Sequence, residues 1–106
     1  MKRYYSEVVS IEIAKKIEDK LGYVYYMKSN NAVNITYAEV FDMLMEYDID
    51  AEVYLSMTRS EDNRIAEKIY AWIVNTPHGE HESGEEDSMS WHKAAETAIN
   101  KALELI

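Results

Sequence analysis

The chain has 106 residues, a formal net charge of −9 from 20 acids against 11 bases, and no cysteine. That length fits one domain with an ordinary hydrophobic core, and the composition excludes disulfides, thiolate metal sites and cysteine nucleophiles. No apolar run approaches the roughly 20 residues that span a bilayer, and Glu7, Ser10 and Glu12 interrupt the stretch where a signal peptide would be apolar, so a cytoplasmic protein without membrane attachment is expected.

Residues 7–21 read as a first helix. Ile13, Ala14, Ile17 and Leu21 form its apolar stripe, Ser6 or Ser10 can cap its start, and Gly22 stands where a left-handed glycine would end it. Residues 23–27, a run of β-formers, predict a strand. Ser29-Asn30-Asn31 is turn chemistry. Thr36-Tyr37-Ala38-Glu39 has the spacing of a capping box, in which the threonine hydroxyl and the glutamate carboxylate each satisfy an orphan amide. The helix it opens is expected to reach about Tyr47, with Tyr37, Val40, Phe41, Leu44 and Met45 inward and Glu39, Asp42, Met43 and Glu46 outward.

Residues 51–57 alternate apolar and polar, the period of a half-buried strand. Residues 59–64 make the loop of a hairpin, and 68–74 are its second strand, ended by Pro77 because proline cannot donate to a ladder. Residues 76–89 are polar and acidic and are expected to be a mobile loop. The last helix is the clearest signal in the chain. Trp91, Ala94, Ala95, Ala98, Ile99, Ala102, Leu103, Leu105 and Ile106 recur at steps of three and four, with Ser90 as the N-cap. Its four alanines suit close approach to a sheet.

The expected architecture is α+β, in the order helix–strand–helix–strand–strand–helix. The sheet would be three-stranded and mostly antiparallel, with helices packed on one face. If Val53, Leu55, Ile69, Ala71 and Ile73 face the helices, then Tyr54, Tyr70 and Trp72 share the opposite face, which something must cover or use.

The acidity is concentrated. Residues 36–50 hold five acids (Glu39, Asp42, Glu46, Asp48 and Asp50) and no base, and residues 77–90 hold five more acids, among them Glu85, Glu86 and Asp87, again with no base. Nucleic-acid binding needs clustered cations to displace counterions from phosphates, so it is not expected here. An acidic face for a basic protein partner is compatible with the pattern. His78 and His81, with Glu80, Glu82 and Glu85 around them, are the weak metal candidates, in donor types that suit zinc or nickel. No phosphate-cradling glycine loop, nucleophile elbow or His-Glu zinc motif is present. No cofactor is expected.

The stretches Val9-Ser10 through Ala14-Lys15, Tyr23 to Tyr26, Thr36-Tyr37-Ala38-Glu39-Val40-Phe41-Asp42 with Leu44, and Ser90-Trp91 through Ala94-Ala95, Ala98-Ile99 and Ala102-Leu103-Glu104-Leu105-Ile106 carry a resemblance across most of the chain. It resembles a group of small uncharacterised proteins of gut Bacteroides and of their phages and mobile elements. Met43 stands where that group would have tryptophan, and His92-Lys93 replaces an acidic pair. The resemblance implies a phage- or mobile-element-related accessory protein and brings no catalytic residue with it. The expected function is a non-catalytic interaction module, binding a protein partner or a second copy of itself. It would act through the outer face of the acidic second helix, Glu39, Asp42, Met43 and Glu46, with the loop acids Glu85, Glu86 and Asp87, or through the aromatic face of Tyr54, Tyr70 and Trp72. The alternatives are a small metal-dependent or acid–base enzyme at His78 and His81, and nucleic-acid binding on the sheet face.

Overall fold

The computed structural model describes residues 2–59, 67–79, 81–86 and 91–106. Their order is α1 (Lys2–Tyr5), α2 (Ile11–Leu21), α3 (Tyr37–Met45), β1 (Asp50–Arg59), β2 (Glu67–Asn75), β3 (His81–Glu86) and α4 (Trp91–Glu104). The class is α+β, with a three-stranded antiparallel sheet in the order β1-β2-β3. Among the described residues no helix is long and apolar enough to cross a membrane.

The helices start and stop where local chemistry directs. Ser10 caps α2, its Oγ accepting from the Ile13 amide at 3.3 Å. Gly22, at φ 81°, ends it by donating to the Glu18 carbonyl at 2.8 Å. The capping box of α3 is complete: the Glu39 amide donates to Thr36 Oγ1 at 3.2 Å, and the Thr36 amide donates to Glu39 Oε1 at 3.1 Å. At the other end Asp48 takes φ 61°, and the amides of Asp48 and Ile49 reach back to the carbonyls of Met45 and Leu44, a Schellman-type closure. The expected cap Ser90 of α4 lies outside the described residues.

Helix α4 lies on the inner face of the sheet, α3 packs beside it against β1, and α2 packs on α4. The buried face of α4 is Trp91, Ala94, Ala95, Ala98, Ile99, Ala102 and Leu103. It meets Ala51, Val53, Tyr70, Trp72 and Val74 from the sheet and Ile13 and Ile17 from α2 in one core. Leu105 is only partly buried and Ile106 is exposed, so the apolar stripe ends with the helix. Helix α1, not expected from the sequence, closes the edge of this core. Tyr4 stacks on Trp91 with ring centroids 5.1 Å apart, and Tyr5 meets Phe41 and Trp91 edge-on.

Three expectations about the sheet need correction. The third strand is 81–86, not 23–27: the segment expected to be a mobile loop pairs with β2 from Tyr70↔Glu86 to Asn75↔His81. Residues 25–34 instead form a narrow ribbon outside the sheet, with one bridge, Tyr26↔Val33, and a turn closed by the Asn31 amide on the Met27 carbonyl. The phase of β2 is also reversed. Val53 pairs with Trp72 and Ala51 with Val74, and cross-strand partners share a face. Tyr70, Trp72 and Val74 therefore point into the core, and Ala71 and Ile73 point away. Residues 69–74 are apolar without a break, so they carry no alternation to set a phase; pairing with β1 sets it.

Candidate functional site

The surface with most to offer lies between α3 and the 25–34 ribbon. Helical spacing lines up Glu39, Asp42, Met43 and Glu46 along α3. Together with Tyr25 and Ile35 they line an open depression of about 260 Å³. Met43, expected outward, is in fact almost fully buried and forms part of the floor with Ile35. Met45, expected inward, is 55 % exposed. The nine-residue helix packs against both β1 and α4, and its burial extends round to Met43 while Met45 is left outside.

The ribbon is oriented by a clasp on its other side. Tyr26 Oη donates to Glu18 Oε1 at 2.9 Å, and Lys28 Nζ pairs with Glu18 Oε2 at 3.0 Å. Both partners lower the Glu18 carboxyl below its ordinary value, Lys28 first. Extended backbone alternates its side chains. With Tyr26 and Lys28 turned to α2, Tyr25 is turned toward α3. Tyr23 lies beside Tyr25, with ring centroids 6.1 Å apart, and it hydrogen-bonds Tyr47 just beyond α3. Desolvation first, and then that hydrogen bond, raise the Tyr47 hydroxyl above its ordinary value. Tyr23, Met27 and Tyr47 are all large side chains left open to solvent here.

The carboxylates of this surface are not neutralised by neighbours. Between Lys28 and Arg59 the sequence has no base. Among the described residues no cation pairs with Glu39, Asp42 or Glu46, although Glu39 Oε1 is taken by the Thr36 cap. Acids at the end of a helix oppose its macrodipole, at a cost of about 0.3–1 kcal/mol each. Helix α3 has no base in its last turn, and Asp42, Glu46 and Asp48 lie toward that end. Helix stability does not explain them.

The other expected site residues are scattered. Tyr54 is exposed on the outer face of the sheet, paired with Ala71. Tyr70 and Trp72 are buried in the core, so the three do not form an exposed aromatic face. Glu85 and Glu86 pair through their backbones with Ala71 and Tyr70, on the far edge from α3. Their side chains, that of His81, and Asp87 as a whole lie outside the described residues. His78 is exposed in the turn after β2. Among the described residues no three His, Asp or Glu side chains come together as a metal would need. Sequence reasoning missed Tyr23, Tyr25 and Tyr47. Their signal was present as the run Tyr23-Val24-Tyr25-Tyr26 directly after a helix-stopping glycine, which was read as a sheet strand.

No family model, curated protein or solved structure matches the chain.

Proposed function

We propose that the chain is a non-catalytic protein–protein interaction module, an accessory protein of the phage- or mobile-element kind that its sequence resembles. It docks a protein partner at the depression between α3 and the 25–34 ribbon. The observation that carries this reading is the convergence of Glu39, Asp42, Met43 and Glu46 with Tyr25 and Ile35 on one surface. Tyrosine is among the side chains that dominate binding energy, and Met43 beneath it gives the floor a side chain able to adapt its packing to a partner's shape. The proposed setting is the cytoplasm, where a chain without cysteine forgoes nothing.

The test is affinity capture with the tagged protein from host and phage-infected lysate, nuclease-treated and read by mass spectrometry. The wild type and an Asp42→Lys variant are compared. One dominant protein that survives moderate salt and is lost with Asp42→Lys is the expected result. Capture that the substitution leaves unchanged would move the interface elsewhere.

A further inference from the structure

We infer that the occupant of this surface is a cationic amphipathic helix, with Lys or Arg on one stripe and apolar side chains beside it. The inference rests on the docking reading above and adds the chemistry of the partner. Glu39, Asp42 and Glu46 follow one another at steps of three and four, so their carboxylates climb about 10 Å along α3 at 1.5 Å per residue. A helix laid alongside presents bases at the same pitch, since its own residues at i, i+3 or i+4, and i+7 repeat at that interval.

The tyrosines fit the same ligand. An ammonium or guanidinium is attracted to an aromatic face as well as to a carboxylate, and Tyr23, Tyr25 and Tyr47 stand next to the carboxylate row. Met27, half exposed on the ribbon and on the Tyr25 side by the same alternation, supplies an apolar wall against which the partner's hydrophobic stripe would lie. An anionic segment is excluded by the same carboxylates, with no base of the chain's own to offset them between Lys28 and Arg59. The acids set against the dipole of α3 are then accounted for: what they cost the free helix, the partner's bases return on binding.

The probe is a fluorescein-labelled Leu/Lys peptide that forms an amphipathic helix, titrated by anisotropy at moderate salt. Oligolysine of equal charge and the corresponding Leu/Glu peptide serve as comparisons. The full chain is used as wild type, as Asp42→Lys/Glu46→Lys, as Tyr23→Ser and as Glu52→Lys, the last altering an exposed acid on the sheet. The expected result is binding of the Leu/Lys peptide alone, weakened about tenfold or more by the double substitution, and by a smaller factor by Tyr23→Ser. Glu52→Lys should leave it within about twofold, with all variants unfolding cooperatively. Equal binding of oligolysine, or an equal loss from Glu52→Lys, would reduce the effect to diffuse net charge and overturn the inference. Failure of the Leu/Lys peptide to bind would also overturn it. In that case Asp42-dependent capture of a protein from lysate would still uphold the docking reading, with a partner of different chemistry.

Discussion

Tyr37 shows how much one side chain can join. Its ring lies edge-on to Trp91 at 5.1 Å, and its hydroxyl donates to Glu96 Oε2 at 3.1 Å, linking the start of α3 to α4. Burial first, and then the Glu96 carboxylate, push the hydroxyl well above its ordinary 10.0. The folded state therefore resists losing this proton, whereas the unfolded chain loses it near pH 10. The stability this provides is complete below pH 10 and falls as pH rises beyond it. Tyr5, also raised by burial and then by Glu52, acts in the same direction. Tyr37→Phe keeps the ring contacts and gives up the hydrogen bond. It should cost about 1 kcal/mol at pH 7 and flatten the loss of stability above pH 10. Urea unfolding at intervals from pH 7 to pH 11 would show both effects; an unchanged alkaline slope would mean that Tyr37 ionises as freely folded as unfolded.

At the scale of elements, what was legible in the sequence was what is decided within a few residues. Thr36 and Glu39 make their capping box without help from the rest of the chain, as do Ser10 and Gly22 at the two ends of α2. The alanine stripe of α4 is equally local. The strands are different. β3 contains His81, Glu82, Ser83, Gly84, Glu85 and Glu86, with no apolar residue to announce it, and it exists because β2 offers it a backbone edge. The candidate docking surface was half legible for the same reason: the row on α3 follows from helical spacing, whereas the tyrosines reach it only through a ribbon whose path the Glu18 clasp determines.

One residue of β3 tests this pairing. Gly84 sits opposite Trp72, and a Cβ placed on it would come within 2.8 Å of the indole Nε1. The glycine is there because the indole lies over it. Gly84→Ala forces a buried tryptophan to shift in a packed core, and overpacking of this kind costs about 1–3 kcal/mol. The expected outcome is a lower urea midpoint with an unchanged slope. A midpoint at or above that of the wild type would remove Trp72 from its place over β3.

For the molecule as a whole, α4 is the element on which the layers depend, because the sheet lies on one side of it and α2 on another. Trp91 at its start gathers Tyr4, Tyr5 and Tyr37, so the N-terminal segment and α3 are fastened to the same helix. Farther along, Lys16 Nζ donates to Asn100 Oδ1 at 2.8 Å and ties α2 to it from outside. Ala98 is fully buried in the middle of this helix, and its small side chain sets how closely the layers approach. Ala98→Glu would place a carboxylate where it has neither room nor a cation, and an unpaired buried charge costs more than a domain of this size can spare. The variant should therefore lose its cooperative thermal transition by circular dichroism. Glu104→Ala, which surrenders only a surface pair with Lys101 at 4.0 Å, should stay within about 0.5 kcal/mol of the wild type. A cooperative melt of Ala98→Glu at the wild-type temperature would mean that α4 can lift from the sheet without unfolding the rest, and the layered core would no longer describe what holds this chain together.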